Sequence, residues 1–372
     1  MSVLFETMQM RGMKPANRFV RSATYEGMAT EEGESTAPLI ALTDRLAKGG
    51  TGIIITSHSY IREDGRAGPL QVGIYKDELI PGLRRMTQAA HNHGSRIVVQ
   101  INHAGLYAKG RLVGQRSLSP SDLEGVSDIP GKKMTAGQIQ QVVESFVRAA
   151  VRAKEAGFDG VQIHAAHGYI LGQFLTPFYN KRTDEYGGPI ENRARFLLQV
   201  LRHIRDAVGD DFAVLVKLNS EDFQDEGLTL NDSIEAGVML QENGIDAIEI
   251  SGGTALSGKL RPSRKKINSE DREAYFRDAS RAFKKRLHVP IILVGGVRSF
   301  GLAEQLVQDG TADYISMSRP LIREPALIKR WASGKTGKAA CISCNKCFIP
   351  AMSGEGIYCM VEKKLKEGDR DK

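Results

Sequence analysis

Short apolar segments alternate along the chain with longer segments in which apolar residues recur every three or four positions. The short segments are rich in Val and Ile, and their length predicts β-strands rather than helices. The longer segments predict amphipathic α-helices, and several end on glycine, a residue typical of helix C-termini. The predicted strands are NRFVRS, TGIIITS, SRIVVQI, GVQIHA, FAVLVKL, AIEIS, PIILVG and YISMS.

This regular alternation of strands and helices predicts a parallel sheet. The strands are almost continuously apolar, which is expected when both faces of a sheet are buried. An open, doubly wound sheet is the competing architecture, but the count of eight strands and the lack of a G-x-G-x-x-G motif after the first strand favour a barrel. We therefore expect an α/β protein, with a (β/α)8 TIM barrel over residues 1–335 and a short cysteine-containing C-terminal tail over residues 336–372.

Composition and charge narrow the range of partners. The 372 residues are 41% hydrophobic and 26% charged, an ordinary balance for a globular enzyme. The net charge of +7 is dispersed, and its short basic runs lack interleaved aromatic residues, so we expect no nucleic-acid partner. No apolar run reaches the roughly 18 residues of a membrane span, and the N-terminus lacks a secretion-signal pattern. We expect a cytoplasmic protein with a small-molecule substrate and no membrane partner; a homo-oligomeric state is left open.

Polar or glycine residues follow every predicted strand. Because barrel enzymes carry their chemistry at the C-terminal ends of the strands, this pattern predicts a large polar ligand there. Gly295 and Gly296 follow the seventh strand, and Arg319 follows the eighth. Glycine backbone N–H groups and an arginine at these positions predict a phosphate site. The alternative is a simple glycine turn beside a surface arginine.

The segment after the fourth strand contains His164, His167 and Tyr169. An H-x-x-H pair is a weak metal motif by itself, and the carboxylate of an H-E-x-x-H zinc site is missing. Two imidazoles and a phenol can instead bind a carbonyl oxygen and deliver a proton. A structural histidine pair and a core tyrosine are the alternatives.

Several segments together closely resemble the Old Yellow Enzyme family of flavin oxidoreductases. They are NRFVRSATY, VVQINHAG, QIHAAHGYILGQFLTPFYNKRTDEYGG, ENRARFLLQV and ISMSRPLIREP, and the resemblance covers about residues 1–335. It implies a barrel that binds FMN, which NAD(P)H reduces. The reduced flavin then passes hydride to the β-carbon of an activated C=C bond, in an enone, a dienoyl ester or a similar compound, and the α-carbon is protonated.

The resemblance also implies roles for the residues that bind the substrate. His164 and His167 match the pair that binds the substrate carbonyl oxygen, and Tyr169 matches the phenol that protonates the α-carbon. We therefore expect these three residues to be catalytic.

For the cofactor, the resemblance implies contacts along the flavin and at its phosphate. Gln100 matches the amide at the pyrimidine edge, and Lys217 matches a basic residue, usually Arg, beside N1 and O2. Two positions depart from the family pattern, because Tyr25 replaces the usual Thr or Cys and His58 replaces a small residue. The matched positions are Ser22, Ala23, Thr24, Tyr25, His58, Gln100, Lys217, Gly295, Gly296, Ser318 and Arg319.

All four cysteines lie in the tail: Cys341, Cys344, Cys347 and Cys359. This density predicts a metal-ligand set, either for a [4Fe–4S] cluster or for zinc, with free thiols as the alternative. The CISCNKC segment resembles the start of the cluster motif in the 2,4-dienoyl-CoA reductase branch, although that branch spaces the third cysteine one residue further. That branch continues into FAD- and NAD(P)-binding domains, which we expect this chain to lack.

Two other functions are compatible with the residues alone. One is a phosphate-binding barrel lyase that uses Lys217 to form a Schiff base. The other is a non-catalytic barrel whose basic surface and cysteine tail bind a partner. A flavin spectrum in the purified protein distinguishes the oxidoreductase from both.

Overall fold

The computed structural model describes residues 2–109 and 116–368. Eight parallel strands close into a barrel, as the apolar segments predicted. These strands are β1 (Phe19–Arg21), β2 (Ile53–Tyr60), β3 (Arg96–Asn102), β6 (Gly160–Ala165), β7 (Ala213–Asn219), β8 (Ala247–Ser251), β9 (Ile291–Val294) and β10 (Tyr314–Met317). Two further short strands, β4 (Ser117–Ser119) and β5 (Gly131–Lys133), pair with each other outside the barrel.

Helices follow the barrel strands and surround them. Threonine hydroxyls begin three of these helices by accepting backbone N–H groups, at Thr36, Thr135 and Thr229, which satisfies donors that the helix itself leaves free. The helices are α1 (Ala37–Lys48), α2 (Ile80–His91), α3 (Ala136–Glu155), α4 (Ile170–Leu175), α5 (Ile190–Arg193), α6 (Arg195–Val208), α7 (Leu230–Glu242), α8 (Arg277–Lys284), α9 (Phe300–Gln308), α10 (Arg319–Arg323), α11 (Leu327–Ala332), α12 (Phe348–Met352) and α13 (Met360–Gly368). No helix within the described ranges is both long enough and apolar enough to cross a bilayer.

The interior of the barrel is divided into an apolar layer and a polar layer. Near the N-terminal ends of the strands, Met10 and Met13 pack against inward-facing residues such as Val98 and Leu215. Toward the C-terminal ends, the register places His164 beside Lys217 and Lys217 beside Glu249. The apolar layer therefore closes one end of the barrel, and polar side chains are left at the other end, where barrel enzymes bind their ligands.

The described part of the tail packs on the loops at the polar end of the barrel. Ala339 donates its backbone N–H to Arg298 over 2.9 Å. The Asn345 side chain donates to the backbone of Ser263 over 2.8 Å and accepts from Arg319 over 2.7 Å. These contacts place the cysteine segment beside the mouth of the barrel.

Candidate active site

A cleft opens at the C-terminal ends of the barrel strands. Its cavity has a volume of about 220 Å³, somewhat below the roughly 300–1,000 Å³ of typical ligand pockets. All the barrel positions that were predicted to bind cofactor or substrate line this cleft except Gly295. The predicted residues that it brings together are Ser22, Ala23, Thr24, Tyr25, His58, Gln100, His164, His167, Tyr169, Lys217, Gly296, Ser318 and Arg319.

The H-x-x-H-x-Y segment forms a compact aromatic cluster at the end of β6. The His164 ring is nearly perpendicular to the rings of His167 and Tyr169, with centroids 5.1 and 4.9 Å away. His167 has a left-handed backbone, with φ of 61°, and its N–H donates to the Asn219 side chain over 3.2 Å. This turn keeps both imidazoles and the phenol on the cleft.

Hydrogen bonds and burial determine the protonation of this cluster. The Ala166 N–H donates to Nδ1 of His164 over 3.3 Å, so the proton of the neutral ring lies on Nε2. Burial is the main cause that lowers the pKa of His164 and of His167 well below the usual value. Burial also raises the pKa of Tyr169 to about 12. At neutral pH the cluster therefore offers the Nε2–H donor of His164, a neutral His167 whose Nε2 lies 2.7 Å from the Ser251 hydroxyl, and a protonated phenol.

Glu249, which was not predicted as a site residue, lies at the centre of a buried network inside the barrel. Its carboxylate contacts Nζ of Lys217 at 3.1 Å and accepts the hydroxyls of Ser22 and Ser316, each over 2.8 Å. Gln162 also donates to it over 2.8 Å. The cation of Lys217 is thus paired with an anion. In the sequence, a glutamate within the otherwise apolar strand AIEIS could have indicated this buried residue.

This network continues to Gln100. The Gln100 amide N–H donates to the Gln162 side-chain oxygen over 2.7 Å, and both residues are buried. Because one N–H of Gln100 is used in this bond, its oxygen and its other N–H stay available to a ligand.

Glycines and an arginine form the part of the cleft predicted to bind phosphate. Gly295 and Gly296 have φ values of 148° and 79°, and a Cβ on Gly296 would come within 2.9 Å of the Tyr275 ring. Arg319 borders the cleft and donates to the backbone of Arg264 over 2.7 Å. Further lining residues that were not predicted include four from the β8–α8 loop and the tail. They are Pro262, Ser263, Tyr275 and Phe348.

The two departures from the family pattern lie against each other. The Tyr25 ring stacks on the His58 ring, with centroids 5.9 Å apart and planes 25° apart, and the Tyr25 hydroxyl donates to the backbone of Pro69. Burial disfavours the charged form of each side chain. It therefore raises the pKa of Tyr25, whose charged form is an anion, to about 12, and lowers the pKa of His58, whose charged form is a cation, to about 4. Both side chains are therefore uncharged at neutral pH.

The four cysteines line one small cavity next to this cleft. Arg319 and Arg323 also line it, and all four thiols are free. Burial raises the pKa of Cys347 to about 11. In the ranges that the structure covers, no three or more His, Cys, Asp or Glu side chains are arranged to hold a single metal ion. The cysteines are thus gathered around a common space without converging on one point.

Comparison with known proteins supplies the family context. The family model described as the NADH:flavin oxidoreductase / NADH oxidase family matches residues 3–337. NADH oxidase from Thermoanaerobacter brockii is 31% identical over 368 residues, which cover 93% of this chain and 56% of that protein. The structure of 2-naphthoyl-CoA reductase with 2-naphthoyl-CoA aligns with a TM-score of 0.90 and 28% identity, over 96% of this chain and 56% of that one. The Old Yellow Enzyme homologue from Zymomonas mobilis aligns with a TM-score of 0.76 and 26% identity, over 90% of this chain and 94% of that one.

The chain therefore spans little more than half the length of the first two relatives. The matches confirm the predicted barrel and the predicted resemblance to the Old Yellow Enzyme family. The likeness of the cysteine tail to the dienoyl-CoA reductase branch stays a prediction.

Proposed function

Because this chain belongs to the NADH:flavin oxidoreductase / NADH oxidase family, we propose that its barrel binds FMN and catalyses NAD(P)H-dependent reduction of an activated C=C bond. The substrate class is an enone, a dienoyl ester or a similar conjugated carbonyl compound. The observation that carries the proposal is that His164, Tyr169 and Lys217 all face one cleft. A carbonyl-binding donor, an acid and a buried cation are thereby combined in a single cavity.

The residues of the cleft fit FMN. Lys217 and Gln100 offer a cation and a free amide edge, which suit the N1–O2 side and the pyrimidine edge of a flavin. Gly296 and Arg319, with Gly295 just outside the lining, offer backbone N–H groups and a guanidinium, which suit its phosphate. When bound, FMN supplies hydride transfer from NAD(P)H to the substrate.

The substrate residues act through uncharged hydrogen-bond donors. Nε2–H of His164, together with His167, binds the carbonyl oxygen, on which negative charge grows as the β-carbon accepts hydride. The Tyr169 phenol gives its proton to the α-carbon and regains one from solvent, which balances the reduction. Since the pKa of Tyr169 is raised to about 12, the phenol is in its acid form before each turnover.

For the tail, we propose that the four cysteines ligate a [4Fe–4S] cluster rather than zinc. Zinc would hold its four ligands at about 2.0–2.3 Å from one ion. A cluster binds one thiolate at each iron, so ligands placed around a common cavity support it. Arg319 and Arg323 border that cavity and partly offset the negative charge of a thiolate-bound cluster.

Iron, sulfide and zinc assays on anaerobically purified protein test this cluster. About four irons and four sulfides per chain are expected. Stoichiometric zinc, or four readily alkylated thiols without metal, would contradict the proposal.

The two alternative functions find less support in the site. Nζ of Lys217 donates to Ser22 over 2.9 Å and pairs with Glu249, whereas a Schiff-base lysine needs a free, neutral amine. A non-catalytic barrel would not require two neutral imidazoles and a phenol facing one cleft. We therefore favour the oxidoreductase.

Two measurements test the proposed function. Acid release and chromatography of the bound cofactor should recover FMN, and recovery of FAD would overturn the cofactor assignment. Stopped-flow spectroscopy should then show flavin reduction by NADH or NADPH and reoxidation by 2-cyclohexenone under anaerobic conditions. Reduction by neither nucleotide, or no reoxidation by any conjugated carbonyl compound tested, would overturn the activity.

A further inference from the structure

His58 is held in one tautomer by the side chain of Gln71. The Gln71 oxygen accepts the backbone N–H of Ala67 over 2.7 Å, which fixes the orientation of the amide. The amide nitrogen consequently faces His58, where it lies 2.7 Å from Nδ1 and donates to the backbone oxygen of His58 over 2.7 Å. An amide nitrogen only donates, so Nδ1 of His58 is the acceptor and its proton lies on Nε2.

The Nε2–H of His58 has no hydrogen-bond partner among the described residues. His58 is only 9% exposed, it lines the cleft, and within residues 2–109 and 116–368 no group forms a hydrogen bond with Nε2. Nε2 is not among the fully buried polar atoms that lack a partner, so it is accessible to water or to a ligand in the cleft. His58 can therefore donate a hydrogen bond to an acceptor atom of a ligand in the cleft.

His58 also lies beside the residues that bind the substrate. Its ring centroid is 5.3 Å from that of Tyr169 and 6.1 Å from that of His164. His164 has the same arrangement, since its Nδ1 accepts a backbone N–H and its Nε2 carries the proton. The cleft therefore contains two neighbouring imidazole donors with fixed tautomers, so it can bind two acceptor oxygens of one ligand.

We propose that His58 is a substrate-binding residue that, with His164, selects alkenes conjugated to two carbonyl groups over alkenes conjugated to one. This inference rests on the proposed function. Maleimides, quinones and related ene-diones have the required second oxygen. In such a substrate one carbonyl oxygen accepts from His164 and the other from His58, while Tyr169 remains the acid. His58 is thereby a specificity residue rather than a contact of the flavin.

A matched pair of unreactive ligands tests this selectivity. Succinimide and 2-pyrrolidinone have the same ring size and one ring N–H, and they differ by the second carbonyl. Their Kd values for the FMN-loaded protein are measured from the change in flavin absorbance. His58→Ala should lower the preference for succinimide over 2-pyrrolidinone by about 2- to 10-fold, the value of one hydrogen bond.

Two further variants make the test specific. His58→Gln places an amide donor near the position of Nε2 and should retain more of the preference than His58→Ala. His203→Ala, which removes an imidazole from α6 outside the cleft, should leave the ratio unchanged. Intrinsic differences between the two ligands cancel, because only the change in ratio between variants is compared.

The outcomes separate this inference from the proposed function. Equal weakening of both ligands, or an unchanged ratio accompanied by weaker FMN binding, would mean that His58 contacts the flavin, and the inference would be wrong. If the unchanged protein binds no flavin at all, the proposed function fails first. A flavin-loaded protein with an unaffected ratio overturns the inference alone.

Discussion

The mouth of the barrel and the cysteine tail hold their reactive side chains in different ways. At the mouth, His164, His58 and Lys217 each have a partner that orients the side chain: a backbone N–H, an amide and a carboxylate. In the described part of the tail, Nη1 of Arg323 contacts Sγ of Cys359 at 3.7 Å, and no other cysteine sulfur there has a hydrogen bond from a charged side chain. Contacts within the barrel therefore orient the side chains at the mouth, whereas the cysteine thiols have fewer such contacts among the described residues.

The physical reason lies in how the two regions are built. The mouth residues are attached to strands that are hydrogen-bonded on both sides in a closed barrel. The described tail contains the short helices α12 and α13 and exposes Ile342, Ile349 and Met352. Helices of this length are marginal by themselves, so contacts with the barrel must stabilise the tail, and the proposed cluster would add to them.

The largest effect is expected at the acid of the mouth. Tyr169→Phe removes the phenolic proton but keeps the ring, so the site should stay assembled. Reduction of the flavin by NAD(P)H should be unchanged, while reoxidation by 2-cyclohexenone should slow by about 10²–10⁴-fold, the usual contribution of a general acid. Stopped-flow measurement of the two half-reactions separates these effects.

A tyrosine outside the site serves as the matched control. The Tyr186 hydroxyl donates to the Gln199 side chain over 3.3 Å, and Tyr186→Phe should leave both half-reactions unchanged. If Tyr169→Phe is reoxidised as fast as the unchanged protein, the proton must come from water or from another residue.

The second effect concerns the buried pair of Lys217 and Glu249. Lys217→Met should leave the Glu249 carboxylate buried and unpaired, which costs about 3–5 kcal/mol in other buried ion pairs. The free energy of unfolding, measured with urea on the FMN-free protein, should fall by about 3–5 kcal/mol. FMN should also bind more weakly and its reduction potential should fall, because the cation beside the flavin is lost.

The double variant Lys217→Met/Glu249→Gln is the control for this pair. Removing the unpaired charge should restore much of the stability, since only an isolated buried ion is strongly unfavourable. The flavin should still be less firmly bound than in the unchanged protein. A single Lys217→Met variant with unchanged stability and unchanged potential would show that the lysine contributes to neither.

The smallest effect on the barrel is expected from the tail. Cys344→Ala removes one proposed cluster ligand. Loss of a residue that only hydrogen-bonds to a metal ligand lowers metal affinity by roughly 10–100-fold, so loss of the ligand itself should lower it by at least that factor. Limited proteolysis should then cleave residues 336–368 faster, while the FMN content stays the same. Cleavage at the original rate, with unchanged iron content, would show that the tail is stable without this ligand.

Local patterns account for the strands, the helices and most of the cleft. The apolar strands β6 and β7 were evident from their composition, because a strand buried on both faces must be apolar along its length. His164, Tyr169 and Lys217 could be assigned to one cavity, because the ends of barrel strands all meet at one face. Gly295 was assigned with them, but it lies just outside the lining of the cleft.

Partners of these residues could not be predicted in the same way. Glu249 pairs with Lys217 because β7 and β8 are neighbours in a particular register, and a shift of one residue would turn Glu249 away from the interior. Gln71 orients His58 because the loop after β2 folds back over that strand. Neither contact leaves a signal in the local spacing of residues.

The order of strands and helices, and the kinds of side chain at the strand ends, follow from short-range periodicity, which each segment contains on its own. The protonation of the imidazoles, the pairing of the buried lysine and the position of the cysteines beside the mouth arise when the barrel closes. Closure brings distant segments within hydrogen-bond distance and removes water from between them. This burial lowers the pKa of His164 and raises that of Tyr169. It also makes the hydrogen-bond and ion-pair partners of the buried side chains necessary for their stability.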